Sequence, residues 1–167
     1  HFGVIELRPR RICQPADDKV AVVIGEAAHG AIGPQQFAAM AERGGASREA
    51  RRALESGLHV MMFSDNVSIE DEVALKTLAH DKGLLMMGPD CGTAYIGGVG
   101  LCFANAVRAG NIGIVGASGT GSQEVAARIH DFGGGITQII GTGGRDLNEK
   151  VGGIMMIDGI NALARDP

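Results

Sequence analysis

The chain has 167 residues, 45% hydrophobic and 20% charged, with a net charge of −4, the composition of a globular protein of one domain or two small ones. Aromatic residues are only 4%, Trp is absent, and no basic stripe stands out, which argues against nucleic acid or an anionic membrane as partner. No apolar run reaches the roughly 18 residues of a membrane span and no signal-peptide core opens the chain, so a cytoplasmic location is expected.

Residues 1–18 read as an N-terminal arm or linker, with Arg8, Arg10 and Arg11 around Pro9 and a short strand possible at Val4–Leu7. The chain begins at His1 and ends at Asp166-Pro167, and both ends read as cuts within a longer protein. Lys19–Ile24 is a buried strand by its β-branched run. Gly25–Gly45 is broken by Gly30 and Gly33-Pro34, with a short helix at Gln35–Arg43 and His29 read as a loop histidine. Cys13, Cys91 and Cys102 are odd in number and widely spaced. They suit reduced thiols, and no disulfide frame or metal site is expected.

From Gly45 onward the pattern alternates. Ala46–Ser56 is helical and stops at Gly57. Leu58–Phe63 is a strand whose exit is Ser64-Asp65-Asn66. Ser68 caps the next helix, with Glu70, Asp71 and Glu72 in its first turn and Val73, Leu75, Leu78 and Ala79 as its apolar positions. Leu84–Met87 is a strand, and Gly88-Pro89-Asp90-Cys91-Gly92 a sharp turn at its end. Thr93–Val107 is Gly-rich, with an antiparallel edge strand or hairpin around Leu101–Ala104. Arg108-Ala109-Gly110 reads as a hinge to a second α/β unit. Alternating strands and helices predict a parallel sheet with right-handed crossovers and ligands at the carboxyl ends of the strands.

The second unit opens with the most informative stretch. Ile112–Val115 is an apolar strand, Gly116–Gly121 a small-residue turn, and Glu124–His130 has helical spacing. A strand, a glycine turn and a helix start in that order present free N–H groups and a positive dipole end to an anion. Ser118, Gly119, Thr120, Gly121 and Ser122 are therefore the candidate phosphate-binding residues. A nucleotide P-loop is excluded, because Gly121 is followed by Ser122-Gln123 rather than Lys. A dinucleotide fingerprint is excluded too: the glycines run Gly113, Gly116, Gly119, and the next strand, Ile136–Ile140, ends in Gly141 rather than an acid. A tight turn of small residues, serving packing alone, is the competing reading. A second glycine turn, Gly141–Asp146, follows, and Asn148–Ala164 is mostly helix.

Three motifs in this order, G-P-D-C-G, then N-I-G-I-V-G-A-S-G-T-G-S-Q-E, then G-T-G-G-R-D, resemble the α-subunit of succinyl-CoA synthetase and its acyl-CoA synthetase relatives. M-M-F-S-D-N-V-S-I-E-D-E resembles the FdrA branch of that group. The resemblance runs from about Gly45 to Gly153. It implies a Rossmann-like CoA-binding domain over 19–109 and the start of a flavodoxin-like ligase domain over 110–167, with the C-terminal part incomplete. It implies a phosphoryl group at Ser118–Thr120, substrate contacts at Asp90, Cys91, Gly143, Gly144, Arg145 and Asp146, and CoA contacts at Ser64, Asp65 and Asn66. CoA is the implied cofactor, Mg-ATP entering only indirectly or through a partner subunit, in a homo- or hetero-oligomer.

The chain departs from the synthetase pattern in places. No CoA-binding glycine loop precedes the matched region, His59, His80 and His130 sit within a strand or on helices, and Asp90 and Arg145 add charges. An Arg facing the anion turn suits a second anionic group. Two further readings stay open: a subunit of an oxamate carbamoyltransferase using carbamoyl phosphate, and a non-catalytic anion-binding subunit. No catalytic residue is assigned. Asp65, Asp90 and Asp146 end strands and are candidates for convergence, and Cys91 reads as a small buried turn residue rather than a nucleophile.

Overall fold

The computed structural model describes residues 20–23 and 45–166. The arm at 1–18, His29, the helix expected at Gln35–Arg43, and Cys13 lie outside the described residues. The elements are β1 (Val20–Val23), α1 (Gly45–Glu55), β2 (His59–Met62), α2 (Ile69–Asp81), β3 (Met86–Met87), β4 (Thr93–Ile96), β5 (Val99–Cys102), β6 (Ala109–Gly116), α3 (Gly119–Asp131), β7 (Ile136–Gly141) and α4 (Ile154–Leu163). They form a mixed α/β fold. β1, β2 and β3 make one parallel sheet, in register Val20 beside His59 and Val60 beside Met86. The second sheet has the order β5-β4-β7-β6, with β6 and β7 parallel.

The second sheet is mixed, and the antiparallel edge strand or hairpin expected around Leu101–Ala104 is the hairpin of β4 and β5. β4 runs antiparallel to both β5 and β7. The cause is local: Gly97 and Gly98 have φ of +58° and +86°, the left-handed pair that closes a two-residue hairpin. Two boundaries also differ. The hinge expected at Arg108–Gly110 is strand from Ala109 on, because the Arg108 carbonyl accepts from Ile136 N at 2.8 Å and locks the approach of β6 to β7. The helix expected from Asn148 starts only at Ile154. Gly152 and Gly153 have φ of +77° and +70°, which no right-handed helix accommodates.

Strand periodicity sorts the core. Val60, Met62 and Met86 face α1 and α2, packing on Leu54, Leu75 and Met155. Met61 and Met87 point the other way, onto Ala94, Leu101 and Ile140 of the second sheet. A third cluster joins Tyr95, Ala126, Ile136 and Ile139 beneath α3.

The buried face of α2 is Glu72, Leu75, Lys76 and Ala79, spaced i, i+3, i+4, i+7 as a core stripe should be. Two of its four positions are charged. Val73 and Leu78, expected on the buried face, are only half-buried. Lys76 and Glu72 are fully buried, and Lys76 Nζ donates to Glu72 Oε1 at 2.7 Å, Asp146 Oδ1 at 2.7 Å and the Thr142 carbonyl at 3.0 Å. Arg145 Nη2 lies 2.9 Å from Glu72 Oε2. Two cations thus balance two carboxylates. Asp146 also accepts from Met155 N at 3.2 Å and Met156 N at 2.9 Å. It supplies the N-terminal acceptor that Gly153, the residue before α4, cannot. At the far end of α2, His80 Nδ1 lies 3.0 Å from Asp158 of α4.

Removing the Lys76 cation would leave the buried Asp146 without a cation and Glu72 with Arg145 alone, and breaking a buried pair costs about 3–5 kcal/mol. Lys76→Met is expected to lower unfolding free energy by that amount in urea denaturation, despite its similar volume. A loss below about 1 kcal/mol would show the network to be dispensable.

Candidate functional site

Four strand exits and turns meet at one end of the molecule. The β3 exit turn is tied to the β2 exit: Asp90 N donates to the Ser64 carbonyl and Cys91 N to the Met62 carbonyl, each at 3.0 Å. The Gly88–Pro89 peptide is cis. Gly143, after β7, lies so close that a Cβ there would meet the Pro89 carbonyl oxygen, and its φ is +85°. Only glycine fits that position on both counts. Thr142 N donates to the Gly116 carbonyl at 2.9 Å, joining this turn to the end of β6.

The α3 N-terminus opens onto the space these turns enclose. Ser118 is its N-cap, its side chain accepting from Gly121 N at 3.1 Å, while Ser122 Oγ donates back to the Ser118 carbonyl at 2.8 Å. A Cβ on Gly116 would lie 2.6 Å from Ser122 Oγ, so a side chain there would displace this bond. The first N–H groups of α3, at Gly119 and Thr120, have no intrahelical partner. Gly119 and Thr120 line a cleft of about 550 Å³, together with Phe63, Asp90, Gly92, Thr93, Phe103, Ala117, Ser118, Gln123 and Gly144. Phe63 and Phe103 pack edge to face at 5.6 Å, and Phe103 is 64% exposed. Gln123 Nε2 donates to Thr93 Oγ1 at 2.7 Å.

Of the candidate phosphate residues, Ser118, Gly119 and Thr120 line the cleft; Gly121 and Ser122 form the capping bonds behind it. Asp90 and Gly144 line it as well. Asp90 is exposed, with φ +62°. Four expected substrate residues, the buried Cys91 among them, sit elsewhere. Arg145, expected to face an anion, instead donates to the Val67 carbonyl at 2.8 Å and pairs with Glu72. Asp146 is fully buried under Lys76, so Asp65, Asp90 and Asp146 do not converge. Gly143 is buried in the turn contact described above. Ser64 is buried, whereas Asp65 and Asn66 are exposed beyond β2, next to Phe63 in sequence. Phe63, Thr93, Phe103 and Gln123 line the cleft without having been singled out in the sequence. Gln123 carried the one available signal, lying one turn into a helix whose start reads as an anion site.

The CoA binding domain family matches residues 107–166. Over 122 residues the chain is 73% identical to the uncharacterized protein YahF of Escherichia coli K12, covering 73% of this chain and 24% of that protein. It is 29% identical over 128 residues to the mitochondrial succinate–CoA ligase [ADP-forming] subunit alpha-2 of Trichomonas vaginalis, covering 74% of this chain and 40% of the subunit. With the alpha subunit from Methanothermobacter thermautotrophicus it shares 29% over 121 residues, 69% of this chain and 40% of the subunit. The chain thus spans well under half the length of these relatives. In fold it is similar to the dinucleotide-forming acetyl-coenzyme A synthetase 1 of Ca. Korarchaeum cryptofilum, with a TM-score of 0.51 at 19% identity, covering 72% of this chain and 28% of that one. The chain is therefore similar to succinate–CoA ligase alpha subunits and carries an α/β fold of acyl-CoA synthetase type.

Cys91, though next to Asp90, is 2% exposed. Burial pushes its thiol up to about 12, against a small opposing effect of its hydrogen bond to the Thr93 carbonyl. A thiol so protonated is no nucleophile at neutral pH. In native protein at pH 8, iodoacetamide is expected to spare Cys91 and modify the exposed Cys102, as read by peptide mass mapping. In urea both should react. The same shift gives a pH dependence: below about 9 the thiol is neutral folded and unfolded, and above it only the unfolded thiol ionises, so stability should fall as pH rises towards 12. Native alkylation of Cys91 at pH 8 would contradict this.

Proposed function

We propose that the chain is the phosphoryl-handling and CoA-binding part of an acyl-CoA synthetase-like protein, related to the succinate–CoA ligase alpha subunit and nearest its FdrA branch. The observation that carries this reading is the α3 N-terminus opening into the cleft, with Ser118, Gly119 and Thr120 on its wall. The first N–H groups and the helix dipole would hold a phosphate or acyl phosphate. They would also stabilise the charge that grows on phosphate as it leaves an acyl group, with donors already in place.

CoA, when bound, would supply the thiol that accepts the acyl group. The residues fit it in part. The Phe63–Phe103 pair, half-buried at Phe63 and exposed at Phe103, offers an apolar wall to the cleft, suited to a flexible pantetheine arm. Asp65 and Asn66, exposed at the β2 exit, would hold its hydroxyl and amide groups, since a carboxylate accepts hydrogen bonds and repels phosphates. The domain boundary near Ala109 and the assembly into an oligomer belong to the same proposal. Arg145 faces Glu72 rather than the cleft, so no structural observation favours a carbamoyltransferase over this reading.

Thermal unfolding with inorganic phosphate and with CoA, tested separately at matched ionic strength, checks the proposal. A ligand at a hundred times its Kd stabilises the native state by about 2.7 kcal/mol, and both are expected to raise the midpoint. A Cβ on Gly119 would lie 3.4 Å from Thr93 Oγ1, so Gly119→Val should fill the mouth of the turn. It is expected to abolish the phosphate shift while keeping the ligand-free midpoint and the CoA shift. An undiminished phosphate shift in this variant would make the turn structural, and no shift with CoA would remove the CoA half.

A further inference from the structure

We propose that Thr93 is a ligand-binding residue of the cleft, its hydroxyl proton aimed at the group held by α3, and that Gln123 is the positioning residue that aims it. The inference rests on the reading of the α3 turn as a phosphate site, but is carried by different atoms. Thr93 is 1% exposed and belongs to β4, so its side chain is held by a buried strand rather than a loop. A threonine hydroxyl has one proton to donate and two lone pairs to accept with. Gln123 Nε2 donates to Thr93 Oγ1 at 2.7 Å, occupying one lone pair. Thr93 Oγ1 makes no other hydrogen bond among the described residues, so its proton is unused.

Placement gives that proton a direction. Thr93 Oγ1 lies 3.4 Å from where a Gly119 Cβ would stand, against the first residue of α3. Thr93 and Gln123 both line the cleft. Thr93 Oγ1 therefore stands beside the first residue of α3, on the wall of the same cleft that Gly119 and Thr120 line. A buried donor without an acceptor is costly, and an anion seated on α3 supplies the acceptor. Thr93 thus adds a fixed side-chain donor, from a second element, to a site otherwise built from α3. Gln123, on the second turn of α3, couples the two so that helix and strand address one ligand. The chemical class is a small oxyanion, a phosphate or the phosphoryl end of an acyl phosphate, bound by backbone N–H and hydroxyl donors.

Isothermal titration of inorganic phosphate into the wild-type chain, Thr93→Val, Thr93→Ser and Gln123→Met, with ligand-free melting of each, tests this. Thr93→Val is expected to weaken phosphate binding by about tenfold or more, as loss of a hydrogen bond to a charged group does. The ligand-free midpoint should fall only slightly, because Val keeps the shape of Thr and the part-buried Gln123 amide that loses its acceptor can turn to water. Thr93→Ser should restore binding to within about twofold, since it keeps the hydroxyl. Gln123→Met should weaken binding by a smaller factor, because the hydroxyl is then free to rotate; it also stands as the test if Thr93→Val does not fold. Wild-type binding with unchanged affinity in Thr93→Val, or in Gln123→Met alone if that is the variant that folds, would overturn the inference and leave the phosphate site standing. Weak binding by Thr93→Ser would also overturn it, by showing that the methyl group matters. No binding by wild type would overturn both.

Discussion

Lys76 is the constraint on which the site depends. A lysine with no exposed surface is tolerable only because two carboxylates and a carbonyl surround it. Those partners come from widely separated parts of the chain. Glu72 is one turn away on α2, whereas Thr142 and Asp146 belong to the turn after β7. The ammonium therefore fixes the 142–146 turn against α2, and through the Asp146 carboxylate it fixes the start of α4. The Thr142 amide continues the chain of contacts to Gly116, where the anion turn begins. A charge with no part in the cleft's chemistry sets the position of the backbone that builds it.

The cleft is made largely of backbone and small residues, and this shapes what it can do. Close approaches at Gly143 and Gly116 leave no room for side chains, so the three glycine turns meet with their peptide groups rather than with catalytic side chains. Donors gather on the α3 side, and one exposed carboxylate, Asp90, stands on the wall. On the proposed reading such a site would bind and polarise; Cys91, buried beside it, is held protonated and is no nucleophile. The aromatic pair at the mouth adds the only large apolar surface of the cleft wall. This suits a protein that positions a phosphorylated intermediate for a reaction whose nucleophile arrives on another molecule.

Much of this was legible in the sequence. The β6–turn–α3 unit followed from an apolar β-branched run, a glycine turn and helical spacing, and Ser68 caps α2 as its spacing predicted; the Ser118 cap of α3 is a finding of the structure. Most elements from Gly45 to Gly141 fell within a few residues of their positions, but β4 was not read as a strand of its own and α3 starts at Gly119, five residues before its spacing is visible. What was missed has a common cause. Glu72 read only as a first-turn acid of α2 and Lys76 was not singled out, because a buried pair looks like an exposed i,i+4 pair until the distant Asp146 is in place. Arg145 and Asp146 read as ligand residues because they follow a glycine turn; their true partners lie on α2, far away in sequence. Thr93 and Gln123 are unremarkable one by one, and only the crossing of β4 against α3 brings them together. Long-range pairing of polar groups leaves no local periodicity to detect, whereas glycine turns and caps do.

The central claim is that an oxyanion seats on the first turn of α3. Amide chemical shifts of the labelled chain during titration with inorganic phosphate report this directly, residue by residue. The largest shifts are expected at Gly119 and Thr120, with smaller ones at Gly121, Ser122 and Thr93, saturating with one dissociation constant. Shifts confined to surface lysines and arginines, with the Gly119 and Thr120 amides unmoved, would contradict the claim.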